Sequence, residues 1–150
     1  MTEINGLRLA YRGLVTGLAA GWVWAATAMV GGLFAGWRPL LPLELLGGGT
    51  GRDQLALGMV IAQVASGGIG IAFAYFFARY FTVRGTLLAA APCFALLAWL
   101  ATGSSLAAGS DFRPQLVLGV ASVSYGVLLG LGLPLRGQVA RHAPVGSPST

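Results

Sequence analysis

Lysine is missing from this sequence, and charge of either sign is sparse. The basic residues number 9, all arginine, against 4 acids, 1 histidine and 1 cysteine. Each shortage excludes something. Only 9% of the chain is charged, where a water-soluble domain carries about a quarter. Too few cations exist to build a basic patch interleaved with aromatics, so no nucleic-acid partner is expected. Cys93 is alone, which rules out an intrachain disulfide, a CxxC redox pair and a zinc cluster. The lone histidine, His142, stands in the tail, remote from Cys93 and from every serine of the four apolar stretches, so no Ser-His-Asp or Cys-His set is expected. Nor can it be one of a pair of haem ligands. The glycine run Gly47 to Gly51 ends in Arg52 and not in the Lys-Ser/Thr of a phosphate loop. No catalytic residue, metal site or cofactor is expected, and the chain does not read as an enzyme.

What is present is apolar. Hydrophobic residues make up 56% of the chain and its mean hydropathy is +0.78. Four stretches lack Asp, Glu, Lys and Arg and are long enough to cross about 30 Å of hydrocarbon, which takes roughly 20 helical residues. They run over about residues 13–36, 55–78, 86–108 and 114–135. The sequence thus predicts an all-α fold, a polytopic membrane four-helix bundle occupying residues 1–137, with 138–150 as a disordered cytoplasmic tail. Asp53 and Asp111 suit helix starts, Pro114 a first turn, and Gly36 and Gly109 helix ends. Pro92 inside the third span predicts a bend near Leu88 to Pro92. The short link Arg79 to Gly85 makes the second and third spans an antiparallel hairpin.

The arginines orient the bundle. Arg8, Arg12, Arg79, Arg84, Arg136 and Arg141 fall on one side against Glu3 alone, whereas Arg38, Arg52 and Arg113 on the other side are balanced by Glu44, Asp53 and Asp111. The positive-inside rule places both termini in the cytoplasm of a multi-pass protein of the cell inner (plasma) membrane. Tyr11, Tyr80 and Phe81 then lie at the inner interface, and Trp37 and Phe112 at the outer one. Arg8, Arg12 and the Ala26-Thr27-Ala28 triplet also imitate a cleavable signal peptide, but the apolar stretch runs past that point to Gly36, which favours a retained helix. The first connection is too apolar for a solvated loop. Leu43, Leu45 and Leu46 form one turn of surface helix started by Pro42 and released by Gly47-Gly48-Gly49, with Glu44 available to Arg38 or Arg52.

Two patterns are candidates for function. Small residues recur every four positions: Gly13, Gly17, Gly21 and Ala25 on the first span, Gly58, Ala62, Ser66, Gly70, Ala74 and Ala78 on the second, and Ser122, Gly126 and Gly130 on the fourth. Such rows share a helix face and let backbones approach closely in lipid. They serve either packing within the bundle or a face kept for another subunit. The second pattern is polar and near mid-membrane: Trp22, Trp24 and Thr27, Gln63 and Ser66, and Ser122, Ser124 and Tyr125. It suits interhelical hydrogen bonds or a pocket for a lipid-soluble ligand such as a quinone or carotenoid. Because no Asp, Glu, His, Lys or Arg occurs within any span, proton-coupled transport by this chain alone is not expected.

With Pro39 to Gly47 following the first span and the Gly-rich Gly119 to Gly132 closing the chain, the layout resembles small four-helix bacterial membrane proteins of unknown function. That resemblance carries no catalytic residue. The small multidrug exporters and dual-topology fluoride channels are similarly short, but the exporters' membrane-embedded Glu is missing and the arginine bias opposes dual insertion. The sequence therefore predicts a non-catalytic subunit that packs against or stabilises a larger membrane complex, its partners being the lipid bilayer and other membrane protein subunits. The alternative is a homo-oligomeric pore or carrier for a neutral or lipid-like solute.

Overall fold

The computed structural model describes residues 3–77, 80–102 and 112–133. Among these the secondary structure is entirely helical: α1 (Glu3–Phe34), α2 (Leu41–Leu46), α3 (Arg52–Phe76), α4 (Arg84–Thr102) and α5 (Phe112–Gly132). Four of the five, all but α2, are long and apolar enough to cross a membrane. The expected features at Arg79, Gly109 and Asp111 and the tail 138–150 lie outside the described residues, as do the side chains of Phe112 and Pro114.

The chain punctuates α1 with backbone geometry. Gly36 adopts φ 80°, and the N–H groups of Gly36 and Trp37 return to the carbonyls of Leu33 (3.0 Å) and Gly32 (2.8 Å). This pair of reversed bonds is a Schellman stop, and a side chain at Gly36 would strain it. The start of α3 differs from expectation. Its cap is Gly51, at φ 138°, with no side-chain capping bond. Asp53 stands inside the first turn instead, where its charge meets the positive end of the helix dipole.

The surface turn of helix does form as α2, with Pro42 in its first turn. It is anchored more firmly than an interfacial segment needs: Leu43 is fully buried, and Gly58 of α3 lies so close to the Leu43 carbonyl that a Cβ there would collide with it. Arg38 donates to Glu44 at 2.9 Å, from an exposed guanidinium to a nearly buried carboxylate.

α1 organises the rest. It lies against both α3 and α5, and α5 in turn carries α4. The short link between α3 and α4 does not make them the main packing partners, contrary to what a tight hairpin implies. They meet sparsely, through Phe73 and Phe77 against Phe94, whose ring centroids are 5.2 Å from each of the other two. α4 runs unbroken through Pro92. The interior is made largely of small side chains, including Ala20, Ala28, Ala74, Ala91 and Ala121, while Val64, Leu97 and Val120 point outward at 70%, 64% and 58% exposure. Small inside and large apolar outside is the arrangement that lipid favours, because tails solvate leucine and valine as well as a core does.

Candidate functional site

Two seams and a polar belt between them account for nearly all the residues singled out by the sequence. In the seam between α1 and α3, small residues face small residues. A Cβ placed on Gly13 would stand 2.5 Å from the carbonyl oxygen of Gly70, and one on Gly17 would stand 2.5 Å from that of Ser66. Gly70 in turn lies on the backbone of Gly13 and Gly17. Approach this close puts Cα–H groups of one helix against carbonyl oxygens of the other, a weak but repeated attraction. Ala62, Ser66, Gly70 and Ala74 are all buried here.

The seam between α4 and α5 is built differently. Gly126 sits on the backbone of Pro92 and on the Ala91 carbonyl, and Gly130 on Leu87, Leu88 and Ala91. Glycine on α5 makes room for the proline, whose ring leaves the helix without one amide donor. Arg84 locks the end of this seam. Its Nη1 donates to the carbonyls of Gly130 (3.1 Å), Leu131 (3.2 Å) and Leu133 (2.6 Å), the groups that the last turn of a helix leaves without amide partners. A cation there also meets the negative end of the α5 dipole. The sequence marked Arg84 only as a topological anchor; what distinguishes it is that it opens α4, the helix packed on α5, at the level of the last turn of α5.

The polar belt joins the seams. The Tyr125 hydroxyl donates to the Ser66 carbonyl at 2.6 Å, linking α5 to α3, and the Trp24 indole donates to Ser122 Oγ at 3.3 Å, linking α1 to α5. Ser122 Oγ in turn donates a hydrogen bond to the Leu118 carbonyl at 2.9 Å. Gln63 faces the same region, since Gly21 lies between it and Ser66: a Cβ on Gly21 would stand 2.7 Å from Ser66 Oγ and 3.3 Å from Gln63 Oε1. That Oε1 is buried and accepts no hydrogen bond, and the Trp99 indole nitrogen on α4 is likewise buried without an acceptor.

Not every residue of the expected cluster joins it. Trp22 is 58% exposed on the face of α1 turned away from Trp24. Two residues along a helix is a rotation of about 200°, so the sequence could bring only one of these two tryptophans to the interior. Ser124 returns its hydroxyl to the Val120 carbonyl of its own helix at 3.1 Å, and Thr27 is half-buried. The belt therefore consists of Trp24, Gln63, Ser66, Ser122 and Tyr125. No family model, curated protein or solved structure matches the chain.

Proposed function

We propose that this chain is a multi-pass membrane protein, with both termini in the cytoplasm, that serves as a non-catalytic subunit of a larger membrane complex. One observation carries the reading. α4 is the least covered of the four long helices, with 17% of its residues 84–101 buried, and its open face bears Gly85, Ala89, Cys93, Leu97 and Ala101, all exposed and four residues apart. The first three of these five positions are small, so a partner helix can approach closely there. A buried proton or ion relay is not needed for this role, and no Asp, Glu, His, Lys or Arg occurs within the four predicted spans.

Purification from the native host in mild detergent tests the proposal. A partner chain should accompany the wild-type protein and be lost from an Ala89→Trp variant that still elutes as a folded species. A wild-type protein that elutes alone as a monomer refutes it.

A second reading is favoured by the unpartnered Gln63 Oε1 and Trp99 Nε1. An acceptor and a donor left open in the interior suit a neutral, hydroxyl-bearing or lipid-like solute passing through a pore or carrier. Solute flux into liposomes, lost in Gln63→Leu, supports that reading; the subunit reading expects no flux from either protein.

A further inference from the structure

The outward face of α1 has a composition that changes along its length. Gly13, Gly17, Gly21, Ala25 and Ala28 are buried in the seams, and on the opposite side Arg8, Arg12, Val15, Ala19 and Trp22 are exposed. Their spacing of three or four residues keeps them on one face. Tyr11 stands beside the two arginines at 67% exposure. The two acids whose side chains are described, Glu44 and Asp53, lie at the other end of the molecule: α1 and α3 run antiparallel, so Asp53 is level with the C-terminal end of α1, and Glu44 follows it in α2. The one acid in the sequence at the Arg8 end of α1, Glu3, is outnumbered by the two arginines.

We propose that this face binds an anionic phospholipid, its phosphate held by Arg8 and Arg12 and one acyl chain lying along Val15, Ala19 and Trp22. Charge complementarity and length both support that occupant. Two guanidiniums one turn apart present a fork of donors to phosphate oxygens, and the Tyr11 ring suits headgroup depth. From Arg12 to Trp22 is ten residues, about 15 Å of helix, which is half of a hydrocarbon core about 30 Å thick. The apolar part of the face thus matches the chain of a lipid from one leaflet. The proposal rests on the membrane setting and is independent of whether a protein subunit covers α4.

The experiment reconstitutes the full chain in phosphatidylcholine vesicles and measures, by electron paramagnetic resonance, the immobilised fraction of spin-labelled phosphatidylglycerol and of spin-labelled phosphatidylcholine. Phosphatidylglycerol should be preferred by roughly tenfold at low salt, and the preference should shrink as salt screens the charges. The Arg8→Gln/Arg12→Gln double variant should approach parity. Arg52→Gln, an exposed arginine at the opposite end, should leave the preference unchanged. Parity in the wild-type protein overturns the proposal, as does a preference that survives the double variant or is lost equally in Arg52→Gln. Competition by inorganic phosphate at equal concentration would show that free phosphate is the ligand, and a co-purifying protein that shields Arg8 and Arg12 would show a protein surface; either result also overturns it.

Discussion

The two seams bring helices into close backbone contact by unlike means. Between α1 and α3 the approach is reciprocal: Gly13 and Gly17 accept the backbone of Gly70 and Ser66, and Gly70 accepts that of Gly13. Between α4 and α5 it is one-sided, since the glycines Gly126 and Gly130 lie on α5 while α4 offers Pro92, Ala91 and Leu87. The reciprocal seam depends on distance alone. The one-sided seam adds a charged fastening, the Arg84 guanidinium on the carbonyls that close α5. A seam with small residues on both sides has no slack to absorb a new side chain, whereas one with a fastening at its end can loosen locally and remain joined.

The comparison breaks first at Gly70. Gly70→Leu must push α1 off α3, because both Gly13 and Gly17 present backbone there and no flexible side chain can give way. Overpacking costs typically 1–3 kcal/mol, and this site should reach about 3 kcal/mol or more. Gly68→Leu, two residues away with nothing within 4 Å of its Cβ position, should cost less than about 1 kcal/mol, the intrinsic change being toward a better helix former. Reversible unfolding in mixed micelles measures both, and equal effects would show that the seam is not close-packed. The other seam is sharpened at Arg84. Arg84→Ala removes a charge-assisted donor from three carbonyls and should cost about 2 kcal/mol. Hydrogen exchange should rise in the last turn of α5 and leave α3 unchanged.

Much of this was readable from residue spacing, and the limits of that reading are physical. Gly13, Gly17, Gly21, Ser66 and Gly70 announce a close approach because residues four apart share a face. The spacing does not say which helix is approached, and so it left Gly126 without its partner Pro92 and Gly130 without Leu87 and Ala91. The short link between α3 and α4 suggested that they pair. The packing preference of small for small drew α3 to α1 instead, and a loop constrains only the ends it joins. Trp22 and Trp24 are both large and polar-tipped at the same depth, and only the direction of the buried stripe, set by Gly17, Gly21 and Ala28, decides which one turns inward. The α2 turn was legible from Pro42 and its leucines. Its firm seat on Gly58 was not, because Gly58 belongs to a row that reads as a seam for another long helix.

The bond that ties the seams together gives the smallest expected effect and the most exacting comparison. Tyr125 reaches from α5 to the Ser66 carbonyl at 2.6 Å, the same carbonyl that Gly17 accommodates from α1. Tyr125→Phe keeps the ring and removes the hydroxyl, so the change isolates one interhelical hydrogen bond, worth about 0.6 kcal/mol on average within membranes. In the wild-type background that loss should appear in mixed-micelle unfolding as about that amount. Combined with Gly70→Leu it should nearly vanish, because displacing α3 from α1 also moves Ser66 away from Tyr125, and residues that share a partner are not additive. Full additivity of the two variants would mean that Gly70→Leu leaves Ser66 in place against Tyr125, and that contact with α1 does not set the position of α3 relative to α5.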